Sequence, residues 1–273
     1  MTAAPVLPPP TLTGQISLRA ERRGDRTVVT GQRHDGSLRV LRPLYLEPEG
    51  QVTAVVVNPG GGYLGGDAYE QRFEVGAGAS ALVTTQSATR IYRTPHARAT
   101  QHTEVVLDAG ARLELVPDQV IAYADARYDQ SCRVEMTADA TFVATEVVTP
   151  GWSPDGRPFR YEHVRSRTEV VVAGRLTALD NLVLAPHDGV IGALEGFSHV
   201  GTLLAVAPSL DQARVDAVAA LLADADGVRW GVSRLGCPGL SVRLLGRDTD
   251  TVTRWLTAVL TLLRGTPPTL RKY

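Results

Sequence analysis

The sequence predicts a mainly β chain, either an irregular β-helix-like solenoid or a sandwich-like stack of strands, with two α-helices in its last third. Three observations predict this: short segments of period-two alternation between turn residues, a weak internal repeat through the middle, and a change to helical periodicity after about residue 208.

The first strands follow from alternation. Gln15-Ile16-Ser17-Leu18-Arg19-Ala20 alternates polar and apolar, Arg23-Gly24-Asp25 turns, and Thr27-Val28-Val29-Thr30 resumes. Asp35-Gly36 turns again before Ser37-Leu38-Arg39-Val40-Leu41. Alternation buries one face of a strand, and Asp-Gly supplies the positive φ of a tight turn. The repeat comes next. Gly78-Ala79-Ser80-Ala81-Leu82-Val83-Thr84, Gly110-Ala111-Arg112-Leu113-Glu114-Leu115-Val116 and Asp139-Ala140-Thr141-Phe142-Val143-Ala144-Thr145 start 32 and 29 residues apart, and Gly174-Arg175-Leu176-Thr177-Ala178-Leu179 is a poorer fourth copy. Stacked strand-turn units fit a solenoid; a sandwich whose turns favour Gly-Ala fits equally.

In the last third, Ser209 is placed to cap a helix whose apolar face is Leu210, Ala213, Ala217, Val218, Leu221 and Leu222. A second helix spans Thr249 to Arg264 with Val252, Trp255, Leu256, Val259, Leu260 and Leu263 on one face and Gly265 and Pro267 as stop signals. Segments 229–235 and 240–245 read as strands between them. The domain reading is a flexible Pro-rich leader over 1–13 and one domain over 14–273, with a β body to about 208 and a helix-strand-strand-helix closing segment over 209–273.

Composition bounds the function. With 28 basic and 29 acidic residues the net charge is 28 − 29 = −1, which provides no overall attraction to nucleic acid or anionic lipid. Cys132 and Cys237 are far apart and form no CxxC, so a disulfide framework is not expected and a reducing, cytoplasmic setting fits. The start of the chain lacks a basic n-region and a long apolar core, so no signal peptide is expected, and no stretch is long and apolar enough for a membrane helix.

The candidate chemistry is sparse. Asn58-Pro59-Gly60-Gly61-Gly62-Tyr63-Leu64-Gly65-Gly66-Asp67 is rich in glycine, but a phosphate loop needs Lys-Ser or Lys-Thr where Asp67 stands, and a dinucleotide fingerprint needs a helix where Ala68 to Val75 reads as extended. A sharp bend with close backbone approach is the better account, leaving Asp67 to cap, pair or meet a metal. Ser87, in Thr84-Thr85-Gln86-Ser87, has no nucleophile-elbow glycines, so a polar strand is expected there. The six histidines form no His-x-x-x-His or His-x-His pair. Glu114 is flanked by Leu113 and Leu115, and solvent exposure is its default. The residues by themselves yield no catalytic site.

The order of these motifs resembles the urease accessory protein D family (UreD, also called UreH). The matching positions are Gly65, Gly66 and Asp67 of the glycine run, then Thr84, Thr85 and Gln86 followed by Tyr92 and Arg93, then Glu114 and Pro117 within Leu113-Glu114-Leu115-Val116-Pro117-Asp118-Gln119. The match runs on through Val242-Arg243-Leu244-Leu245-Gly246 to the closing helix, and covers the chain from about Gly14. Arg90 stands where the family usually has Lys, and Leu115 where it usually has an aromatic residue.

The resemblance implies a β-helix-like body with a pair of helices and a non-catalytic role in urease maturation. It implies binding to the accessory protein UreF, recruitment of the nickel-carrying GTPase UreG to apo-urease, and passage of nickel through an internal tunnel with no tightly bound cofactor. A conduit must hold its ion weakly, which favours spaced carboxylates, amides and hydroxyls over a closed cage. Asp67, Thr85, Gln86 and Glu114 are therefore expected near one polar passage. The alternatives are a scaffold that carries no metal and a β-solenoid hydrolase acting on a carbohydrate or ester, which would need paired carboxylates in one groove.

Overall fold

The computed structural model describes residues 12–270; most of the expected leader lies outside the described residues. The chain begins with strand β1 (Gly14–Arg23), which turns through Gly24 (φ 63°) into the antiparallel β2 (Arg26–Gly36), and β3 (Arg39–Val40) follows. Four coils come next. The first is β4 (Val52–Val57) and β5 (Ala68–Val75). The second is β6 (Ser80–Thr85), β7 (Thr89–Ile91) and β8 (Ala99–Leu107), and the third is β9 (Arg112–Val116), β10 (Val120–Ala122) and β11 (Arg127–Met136). The fourth is β12 (Thr141–Val148) and β13 (His163–Val172).

Each coil adds one strand to each of two parallel stacks. One sheet runs β5, β8, β11, β13 and the other β4, β6, β9, β12. A narrow third side links Tyr63 to Ile91, β7 to β10, and Tyr123 to Trp152, all in parallel. The chain is thus a three-sided β-solenoid. The sequence repeat is its register: Ser80 pairs with Arg112, and Arg112 with Thr141. The fourth copy departs from this. Ala173 (φ 47°) and Gly174 (φ 79°) turn the chain back on itself, so β14 (Arg175–Leu184) is antiparallel to β13 and closes the first sheet instead of starting a coil.

The second sheet is extended by three antiparallel strands. β15 (His199–Val206) pairs with β12, β17 (Gly239–Gly246) with β15, and β16 (Val228–Arg234) with β17. Helices α1 (Gln212–Ala223) and α2 (Thr249–Arg264) pack on this sheet's outer face. Strand alternation therefore serves two cores. In β12, Phe142, Ala144 and Val148 join the core inside the solenoid, while Val143 and Val147 join the core beneath the helices.

The helix at Thr249–Arg264 matches its expected span, with Asp248 as N-cap and Gly265 in the left-handed region as stop. The other helix starts later than expected. Its N-cap is Asp211, which accepts from the Arg214 N–H (3.0 Å), and not Ser209. Leu210 just before the cap and Val215 on the fourth helical position belong to the same core, the arrangement of a hydrophobic staple. Its buried face is Val215, Val218 and Leu222, and Ala213 is exposed. No described helix is long and apolar enough to cross a membrane.

Candidate functional site: an internal polar cavity

A cavity of about 170 Å3 lies inside the solenoid. Gln86 and Ser87, both exposed, line it where the β6–β7 turn reaches the surface, together with Pro117 and Asp118 of the β9–β10 turn. From there it passes Gln101, Gln130 and Glu146 and reaches Asp180 and Thr202 near the last coil. The repeat explains why it is polar. The second and fourth positions of β6, β9 and β12 point inward with apolar side chains, Ala81 and Val83, Leu113 and Leu115, Phe142 and Ala144. The next position in the same offset is Thr85, Pro117 or Glu146, so the row beyond the apolar ones places a hydroxyl in the second coil and a carboxyl in the fourth.

These donors are held by neighbours. Thr85 Oγ1 donates to the Asp118 carboxylate (3.1 Å) and accepts from the Asp118 N–H (2.8 Å). Tyr63 Oη donates to Gln101 Oε1 (2.6 Å), and Tyr128 Oη to Gln130 Oε1 (3.1 Å). The Gln130 amide donates to Ser166 Oγ (3.0 Å) and to the Glu146 carboxylate. Burial pushes the Glu146 carboxyl up to about 7, opposed by its hydrogen bond with Ser166 and the nearby Arg243 guanidinium. Burial and the neighbouring Glu146 push the Cys132 thiol, also on the cavity wall, up to about 12. At the far end Arg243 holds Asp180 (2.6 Å) and Thr202 Oγ1 (2.5 Å). Among the described residues, no three His, Cys, Asp or Glu side chains come together as a metal site.

The residues expected to share one passage are divided by the structure. Thr85 and Gln86 line the cavity, whereas Asp67 and Glu114 do not. Asp67 caps its own turn, accepting from the Leu64 N–H (2.7 Å), Tyr69 Oη (3.0 Å) and Thr13 Oγ1 (3.0 Å). The glycine run is the close-approach bend that its composition suggested. A Cβ on Gly62 would lie 2.5 Å from the Tyr92 ring, one on Gly65 3.0 Å from Thr94 Cα, and Gly66 has φ 89°.

Glu114 is 0% exposed, contrary to the default expectation. Its position in β9 points away from the solenoid interior, but α2 covers that face, and Arg112 (2.6 Å) and Arg264 bind its carboxylate. Arg264, 6% exposed, also reaches Glu47 (3.3 Å). Asp67 and Glu114 thus belong to separate local networks.

The other motif positions are structural in their contacts. Thr84 Oγ1 donates to the Val116 carbonyl in the next coil (2.7 Å). Tyr92 packs against Tyr123 and Tyr123 against Trp152, with ring centroids 4.9 Å apart in both pairs, along the third side. Arg93 makes an exposed pair with Asp125 (3.3 Å). Glu146, Gln130, Ser166 and Asp180 escaped the sequence reading. The repeat offset carried the signal for Glu146, which occupies the position of Thr85 two coils later.

Fold and site define a class: a β-solenoid with a helical cover on one sheet and an internal cavity lined by separated oxygen donors. The family model of the UreD urease accessory protein matches residues 12–272, and the chain belongs to that family. A urease accessory protein UreD of Actinomyces naeslundii is 50% identical over 96% of this chain and 99% of its own length. Those of Arthrobacter sp. (strain FB24) and Bacillus sp. (strain TB-90) are 46% and 35% identical, covering 100% and 88% of this chain and 99% and 89% of their own lengths.

Proposed function

We propose that this protein acts in the cytoplasm as a scaffold and metal conduit in urease maturation: it binds UreF, recruits the nickel-carrying GTPase UreG to apo-urease, and lets nickel pass through its internal cavity. The ion is cargo and no cofactor is resident. The observation that carries this reading is the cavity inside the solenoid lined by separated oxygen donors, among them Thr85, Gln86, Asp118, Glu146 and Asp180, with its carboxylates held on different elements. Such a lining can replace part of an ion's hydration shell without enclosing it. The path runs from Gln86, Thr85 and Asp118 past Glu146 toward Asp180. Asp67 shapes the turn beside it, and Glu114 fixes α2 to the body.

The test separates conduit from scaffold. Ala144 faces the cavity from the middle of β12, and Ala144→Phe obstructs it. Co-expressed with the other accessory proteins and apo-urease, this variant should still enter the complex, while urease nickel content and activity fall at least tenfold. Full activation with an obstructed cavity would leave only the scaffold.

A further inference from the structure

The three outer faces of the solenoid differ. The first sheet turns paired charges outward, Arg72 with Glu104 (2.5 Å) and Arg133 with Glu169 (3.1 Å). The second turns apolar residues outward, Val143 and Val147 among them, and these join the core beneath α1 and α2. The third side is apolar outward as well, yet it lies open. Its inward residues Tyr63, Ile91 and Ala122 belong to the solenoid core and share one register position. The next residue of each coil therefore falls in one outward row: Leu64, Tyr92, Tyr123 and Trp152. Leu64 is 57% and Trp152 51% exposed at the two ends of this row. Ile121, two residues before Tyr123, shares the face.

Strands that are apolar on both faces are normally covered on both, and Val120-Ile121-Ala122-Tyr123 is such a run. Tyrosine, tryptophan and arginine are also the residues enriched at the centres of protein interfaces. The charge around the row is one-sided. Segments 58–67, 89–98, 120–127 and 150–162, which carry the third side, hold six arginines and four carboxylates, 6 − 4 = +2, in a chain whose net charge is −1. All four carboxylates are engaged: Asp67 in its own turn, Asp125 with Arg93, Asp155 with Ser153 Oγ (2.6 Å) and Glu162 with Arg127 (3.6 Å). Arg90 and Arg160 are exposed and form no ion pair among the described residues.

We infer that the third side is a docking surface for another protein of the urease maturation complex, one that presents apolar side chains to the row from Leu64 to Trp152 and carboxylates to Arg90 and Arg160. This rests on the maturation role proposed above, which supplies the partner. Charge selects the occupant. A second copy of the chain would set arginine against arginine, and like charges across an interface are unfavourable. Single-stranded nucleic acid stacks its bases on aromatic rings, but Leu64 and Ile121 offer no ring, and Asp125 and Asp155 beside the arginines repel phosphate. Arg90 also lines the cavity, together with Gln86 and Ser87, so a protein seated on this side lies at the cavity mouth.

The test measures the affinity of the full-length chain for UreF, for the UreF–UreG pair and for apo-urease by biolayer interferometry, at low and at high salt. Trp152→Ser and Arg160→Glu, both at exposed positions and each with an unchanged circular dichroism spectrum, should weaken binding to at least one of the three by about tenfold or more. The loss in Arg160→Glu should shrink at high salt, where exposed charges are screened. Arg19→Glu, on the outer face of the first sheet, should bind all three as the wild type does. If either third-side variant binds all three at wild-type strength, or Arg19→Glu loses as much, this inference falls and the conduit stands on the Ala144→Phe test; a wild-type chain that binds none of the three overturns both. The inference also falls if the two variants lose self-association, or binding to a single-stranded oligonucleotide, while all three protein affinities stay intact.

Discussion

Glu114→Gln removes one charge from a buried network and keeps the side chain's shape. In the wild type Glu114 lies between Arg112 and Arg264, and Arg264 also has Glu47 (3.3 Å) and Gln51 (3.4 Å) within reach. Removing one partner of a buried ion pair costs about 3–5 kcal/mol because the other charge is left uncompensated. Here Glu47 stays with Arg264 and Arg112 is one-third exposed, which brings the expected loss to roughly 2–3 kcal/mol, below that range. At about 2–4 °C per kcal/mol for chains of comparable size, the midpoint should fall by roughly 4–12 °C. The assay is thermal unfolding followed by near-ultraviolet circular dichroism, with the loss repeated in guanidinium at unchanged slope. Urease activation, measured below the lowered midpoint, should remain near normal. If stability is unchanged while nickel incorporation drops, Glu114 meets the ion and the structural assignment is wrong.

Three other outcomes follow from the same geometry. Asp67→Ala removes the acceptor of one backbone N–H and two hydroxyls, and should cost about 2 kcal/mol in denaturant unfolding, within the net range of about 1.5–3 kcal/mol for hydrogen bonding to a charged group; Asp67→Asn should recover part of it. Gly62→Ala places a methyl 2.5 Å from the Tyr92 ring and 2.8 Å from the Arg90 carbonyl, and should destabilise by about 1–3 kcal/mol, as overpacking does. For Glu146, the carboxyl is raised from its ordinary 4.5 to about 7, so the folded state holds a proton that the unfolded state has released between those values. Its stabilising contribution is full below the lower value and is lost as pH rises through the upper one. Wild type should therefore lose stability relative to Glu146→Gln between about pH 5 and about pH 8; a constant difference in unfolding free energy would remove the burial argument.

Much of the fold was legible because its signals are local and repeated. The 32- and 29-residue offsets became sheet register, and the apolar stripe and terminal glycine of α2 marked its span, with Asp248 supplying a cap the sequence reading had not named. What was hidden depends on which face is covered. Glu114 alternates outward from the solenoid, which in an isolated sheet means solvent; only the packing of α2 makes that face an interior. The fourth repeat copy failed for a related reason, since Gly174 marks a turn in either case and period-two alternation does not distinguish a coil from a hairpin return. Ser209 was a reasonable cap in sequence, but the cap that forms is the one that seats Leu210 and Val215 together in the core. The candidate site was half visible: Thr85 and Gln86 were found by their polar run, while Glu146 and Asp180 stood alone among ordinary strand residues.

The conduit proposed above need not resemble a metal site. A closed cage of thiolates and imidazoles holds zinc with apparent free energies of about 10–16 kcal/mol, and each 1.4 kcal/mol or so is tenfold in affinity, so such a site would retain its ion. Here Asp118 is engaged with Thr85, Glu146 with Gln130 and Asp180 with Arg243, each on a different strand or turn. A carboxyl raised to about 7 adds a further property. Raised that far, it holds its proton into the neutral range, and a cation in the proposed conduit would displace that proton to meet a carboxylate. In the proposed conduit, an ion would meet at Glu146 a ligand whose hold weakens when the proton returns.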